Sequence, residues 1–173
     1  MLTQPLAMHA AIGRPTTDGG TVAGIDSERR TVGQALSWWH EVRGERRLPL
    51  LADVDLTHGP LGPTLFLLDL GDDPAQAVFR HCGGSLSTAF GRRLNGRRPH
   101  EALPPDMADH LLDLVVTVVR YRRPLADAAT RPRVRGGGLL RHRMAVMPVA
   151  ADADGLRVSH VVGAFSYRID LGA

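Results

Sequence analysis

Residues 78–98 read VFRHCGGSLSTAFGRRLNGRR, and the order of elements on either side of them decides the fold. VFRHC is β-branched, aromatic and short, a strand pattern that breaks at Gly83 and Gly84. SLSTAF then predicts one short helix, with Ser85 as its N-cap. GRRLNGRR follows as a basic loop punctuated by Gly91 and Gly96. No nucleophile–base pair, metal-ligand set or phosphate loop lies in this stretch, so it reads as the wall of a binding fold.

Immediately upstream, TLFLLDL (Thr64 to Leu70) is a buried strand bounded by Pro63 and Gly71. Gly71-Asp72-Asp73-Pro74 is a turn, which makes the strands before and after it a hairpin. Regular alternation along VFRHC turns Val78, Arg80 and Cys82 one way and Phe79 and His81 the other, with His81 towards the core.

Further upstream, Thr31 and Gln34 form a capping-box pattern that starts a helix. Val32, Ala35, Leu36, Trp39 and Val42 fall on one stripe of that helix, and Gly44 stops it. Trp38 and Trp39 are candidate partner or dimer contacts; the alternative packs Trp39 on the domain and leaves Trp38 half exposed. Residues 1–30 show no period and read as a flexible arm, without the basic and apolar regions of a signal peptide. Residues 31–63 comprise the helix and a linker in which Pro49, Pro60 and Pro63 forbid a regular helix. Asp53 and Asp55 alternate with Val54 and would point the same way, but their simpler role is to cap backbone or meet arginines.

Downstream, the clearest helix starts near Asp106 and ends at Pro124. Asp106 and Asp109 suit its positive end; Arg120, Arg122 and Arg123 suit its negative end. Met107, Leu111, Leu114, Val115, Val118 and Tyr121 form its apolar face. ADAATRPRV is a weak edge strand containing Pro132. LLRHRMAVMPVAA and LRVSHVVGAFSYRI are two longer strands joined by Asp152-Ala153-Asp154-Gly155. The last strand is apolar on both faces, so both need cover, from the Trp-bearing helix or from a second subunit.

Composition limits the function classes. The 173 residues fit one domain plus an extension, and one cysteine excludes an internal disulfide. All 21 Lys+Arg residues are arginine, which lifts the pI to 9.9 while the formal net charge is only +3. That favours solvated arginines over a nucleic-acid surface. No apolar run approaches a membrane span, and the expectation is a cytoplasmic protein.

Helix, linker, hairpin, short helices with a loop, long helix, strand and long hairpin is the order of a PAS domain. LSWWHEVRGERRLPLLADVDL, LFLLDLGDDPAQAVFRHCGGSLSTAFGRRLNGRR and the closing VVGAFSY together resemble the stand-alone PAS-domain proteins of the alphaproteobacterial type, across roughly Val32 to Ile169. The resemblance implies an α+β fold over residues 64–173: a five-stranded antiparallel sheet with helices on one face, preceded by the N-terminal helix. It also implies a non-catalytic sensory or regulatory module in bacterial signal transduction, binding a small ligand, a partner protein or both, and frequently forming homodimers.

Leu68, His81, Phe90, Leu111, Val115, Met144 and Phe165 are the expected pocket wall. Arg92, Arg93, Arg97 and Arg98, with Trp38 and Trp39, are expected partner or anion contacts. No cofactor is expected; haem held by His110 on the long helix is the minor option. Flavin photoreceptors of this family carry a reactive cysteine in a short-helix motif, whereas GRRLNGRR has none, and Cys82 reads as a small buried hydrophobe. The alternatives are a dimerising adaptor with an empty pocket, or an anion or nucleic-acid binder that adds Arg122 and Arg123 to the loop arginines. No metal site and no acid–base constellation is apparent.

Overall fold

The computed structural model describes residues 20–133 and 136–172, with side chains from Ser27 onward. Five strands form one antiparallel sheet: β1 (Leu65–Asp69), β2 (Val78–Cys82), β3 (Leu125–Pro132), β4 (Leu139–Ala150) and β5 (Val158–Asp170). Their spatial order is β2-β1-β5-β4-β3. The helices are α1 (Gly20–Arg43), α2 (Gly84–Phe90), α3 (Pro99–Ala102) and α4 (Pro105–Tyr121). This is the expected five-stranded α+β architecture.

Strands β4 and β5 pair from Leu139↔Asp170 to Ala150↔Val158 and form the centre of the sheet. On the inner face, Met144 lies opposite Phe165 and Val146 opposite Gly163, below α2 and α4. On the outer face, Ala145 lies opposite Ala164 and Met147 opposite Val162, below α1. All these positions are buried, and each of the Val, Met and Phe side chains among them contributes roughly 1.5–3 kcal/mol by leaving water.

Helix α1 supplies the outer cover, and two expectations change there. The helix begins at Gly20 rather than Thr31, so residues 20–30 are helical; residues 1–19 of the expected arm lie outside the described residues. Thr31 sits inside the helix, where its hydroxyl donates back to the Ser27 carbonyl at 3.0 Å. Glu28, one turn earlier, is buried against the sheet beside Arg168 of β5. Tertiary docking of this turn thus outweighs its weak helix signal. Trp38 and Trp39 are both buried within the chain, not on a partner surface. Trp39 Nε1 donates to the Pro148 carbonyl of β4 at 2.9 Å, and Trp38 stacks on His58.

The linker runs through short 3₁₀ turns at Leu51–Asp53 and Gly59–Thr64. Asp53 pairs with Arg46 at 2.6 Å, and the Asp55 carboxylate accepts from the Thr57 hydroxyl and amide. The two carboxylates therefore take the simpler roles. Those Thr57 bonds hold the Asp55 carboxyl below its ordinary pKa.

The β1–β2 hairpin contains a bulge that regular alternation does not anticipate. Leu67 pairs with His81 and Leu68 with Phe79, which leaves Arg80 as the extra residue. His81 is therefore on the outer face with Leu67, while Phe79 is fully buried on the inner one. Released from the pairing, Arg80 reaches Asp69 with both Nε and NH2, at 2.9 and 2.8 Å. Beyond the long helix face, Tyr121 is exposed rather than buried, because it is the last residue of α4 before the left-handed Arg122.

Gly163 of β5 lies under the Phe66 ring, and a Cβ there would overlap the ring carbons. Gly163→Ala is expected to cost about 1–3 kcal/mol by overpacking. Urea midpoints measure it; an unchanged midpoint would show that the Phe66 ring has room to move aside.

Candidate functional site

The space between the inner sheet face and α4 is filled where the sequence suggested a pocket. Leu68, Leu111, Val115, Met144 and Phe165 are packed as core residues, all essentially inaccessible. Phe66, Phe79 and Met107 join them, and Phe165 stacks with Tyr167 and with the His142 ring. With few aromatics in the chain, these rings meet one another to close the interior instead of lining a hollow. His81 is excluded from that wall by the bulge in β2. Of the expected wall, Phe90 alone borders the cleft that does exist.

That cleft lies at one end of the fold, between the end of α2, the start of α4, and the adjoining ends of β3 and β4. It encloses about 400 Å³, within the usual range of roughly 300–1,000 Å³ for small-molecule sites. Ala89, Phe90, Pro104 and Pro105 provide its accessible apolar wall, backed by the buried Leu103, Met107 and Leu140, and Arg92, Asp106, Arg131 and Arg133 provide its charged groups. The local sequence explains this opening. Gly91 takes a left-handed conformation that ends α2. Leu103-Pro104-Pro105 then brings the chain into α4 with proline at its first position. Sequence reasoning does not single out Arg131 and Arg133, which lie at and just past the end of the weak edge strand, where Pro132 is the marked feature.

The loop arginines divide. Arg92 borders the cleft, whereas Arg93, Arg97 and Arg98 are exposed on the loop beside β2. Leu94 is buried and anchors that loop. The Gly96 amide donates to the Phe79 carbonyl at 2.7 Å, and the Phe79 amide donates to the Arg97 carbonyl at 3.0 Å. Arg122 and Arg123 lie elsewhere, around a separate open hollow with Arg43 and Arg47. There they adjoin the C-terminal ends of α1 and α4, whose dipoles favour positive charge. The expected joint cluster of loop and helix arginines does not form.

A match to the family model described as "PAS domain" covers residues 28–165. The chain belongs to the PAS domain family. Among solved structures it is similar to the PAS domain from Bordetella pertussis BvgS, at 15% identity and a TM-score of 0.45, covering 82% of this chain and 88% of that one. A sensory box sensor histidine kinase from Vibrio cholerae matches at 16% identity and a TM-score of 0.41, covering 61% and 81%. A fungal LOV domain photoreceptor matches at 17% identity and 0.48, covering 86% and 100%. No curated protein matches the chain.

In this PAS domain His110 does not suit a haem. Its Nε2 is 2.6 Å from the Asp127 carboxylate of β3, and it does not border the cleft. The lone cysteine, Cys82, is half buried on β2; burial raises its thiol pKa, and hydrogen bonding from Ser87 only partly opposes this. A thiol of that kind is a poor nucleophile. Among the described residues, no group of three or more His, Cys, Asp or Glu could hold a metal ion, and no helix is long and apolar enough to cross a membrane.

Among the described residues, His142 is a polar side chain that the inner face buries without a hydrogen-bond partner. It is 2% exposed, and neither ring nitrogen has a hydrogen-bond partner among the described residues. It shares its face of β4 with Leu140, the residue that borders the cleft. Burial pulls its pKa down to about 4; positive charge at Arg131 and His110 adds to this, and Asp127 opposes it.

An unfolded histidine titrates near 6.5, so as pH falls the unfolded chain takes up this proton before the native one does. Acidification from pH 7 to 4 therefore destabilises the domain through His142, by roughly 3 kcal/mol at most. His160, whose pKa is also lowered by burial, acts in the same direction; buried Glu28, whose pKa is raised, acts in the other. His142→Met is expected to flatten the fall in stability between pH 6.5 and 4. Urea titrations at several pH values measure the slope, and identical slopes for both proteins would remove His142 as its source.

Proposed function

We propose that this PAS domain is a non-catalytic sensory module whose signal is a small ligand held in the cleft between α2, α4 and the β3–β4 edge. One observation carries the reading: an apolar recess of about 400 Å³ into which a few charged side chains converge, set beside an otherwise filled core. Apolar walls supply affinity in such sites, and sparse polar groups select orientation. The position also suits a sensor. The cleft borders α4 and β4, and β4 pairs with β5, which carries the buried contact to Glu28 of α1. Family membership supports signalling work, and the fold by itself does not name the ligand.

The reading is tested on the full chain by native mass spectrometry and absorbance of the purified protein, followed by thermal unfolding with whatever is found. A ligand at one hundred times its Kd is expected to stabilise the native state by about 2.7 kcal/mol. Ala89 borders the cleft, so Ala89→Trp is expected to fill it and abolish that gain. Equal stabilisation of both proteins would place the ligand elsewhere. A protein that carries nothing and that no small molecule stabilises would end the sensing role.

A further inference from the structure

This inference rests on the reading of the cleft as a ligand site and names the ligand's class. Arg131 of β3 reaches across the cleft to the Asp106 carboxylate in the first turn of α4. Its Nε is buried and has no hydrogen-bond partner among the described residues. Arg92 and Arg133 border the same space, and among the described residues neither pairs with a carboxylate; the Arg133 guanidinium donates to the Gly137 carbonyl, at 3.3 Å. Three guanidiniums therefore face one carboxylate. The first turn of α4 opens onto the same cleft and adds to the positive field. Ala89, Phe90, Pro104 and Pro105 give the same space its accessible apolar lining.

We propose that the cleft binds a small amphipathic organic acid, its carboxylate on Arg131 and the rim arginines and its apolar body against Phe90 and Pro105. A guanidinium presents a planar fork of donors that fits a carboxylate edge, and Arg131 has one donor buried and unmatched. A bare anion leaves the apolar wall wet. A neutral molecule leaves the excess positive charge unanswered. Asp106 is the internal competitor: its carboxylate holds the guanidinium that the ligand needs, and its side chain is 63% exposed, so it can turn out to water.

The test uses the full chain with octanoate and 3-phenylpropanoate, their neutral amides, and acetate, each read by calorimetric titration and thermal unfolding. The acids are expected to bind and to raise the melting temperature, while the amides and acetate do neither at the same concentration. Arg131→Gln is expected to weaken acid binding about tenfold or more, since a charge-assisted hydrogen bond is lost. Asp106→Asn, on an exposed side chain, is expected to tighten it several-fold by freeing the guanidinium. If Arg131→Gln fails to fold, Asp106→Asn decides alone, and unchanged affinity in that variant overturns the role of Arg131. Amides that bind as well as acids overturn the acid class but leave the ligand site standing. Acetate that binds as well as octanoate overturns the amphipathic class. If neither acid nor amide binds native protein or Asp106→Asn, the acid proposal falls; if in addition no ligand co-purifies, the reading of the cleft falls with it.

Discussion

Strands β4 and β5 carry apolar side chains on both faces, and an antiparallel pair of that kind is stable only with a layer on each side. Every other element answers that requirement. Helix α1 lies over Ala145, Met147, Val162 and Ala164, with Trp39 bonded to the β4 backbone at Pro148. Helices α2 and α4 lie over Met144, Val146 and Phe165. The Trp-bearing helix meets the outer requirement inside one chain, so no second subunit is needed for that face. The chain's paired tryptophans are accordingly devoted to the domain's own interior.

The filled inner layer also determines where a ligand site can exist. Phe66 covers Gly163, Phe79 packs edge-to-face on Phe66, and Phe165 is bracketed by Phe90, His142 and Tyr167. Beyond Phe90 and Leu140 the layers part. There the side chains change character, from aromatic and aliphatic to Arg131, Arg133 and Asp106. His110 with Asp127, and the buried His142, lie on the same inner surface.

Much of this was legible from sequence. Periodicity located α4 and all five strands to within a residue or two, and the alternation in LLRHRMAV put His142 and Met144 opposite Arg141 and Arg143, as observed. What failed has specific causes. A bulge adds one residue to β2, and a pattern of period two cannot show which residue is extra, so His81 was assigned to the wrong face. The turn of α1 around Glu28 is held by burial of that side chain beside Arg168, a contact from the far end of the chain. Core and cleft residues are equally apolar, so Leu111 and Leu140 look alike until packing separates them. The Arg131–Asp106 pair joins the end of β3 to the first turn of the helix before it, 25 residues back, and no local spacing reveals it.

The loop over β2 has a consequence for how copies of this chain behave towards one another. An open sheet has two rims where backbone groups await partners, and each is a template for another strand. At the β2 rim, the Phe79 amide and carbonyl are already taken by Arg97 and Gly96. The opposite rim is β3, which is alanine-rich and ends at Pro132, a residue with no amide hydrogen to offer. Asp127 and Arg131 are bound inward to α4, which ties that rim to the body of the fold. The sheet is thus discouraged from growing by strand addition in either direction, by a docked loop on one side and by proline and tethered side chains on the other.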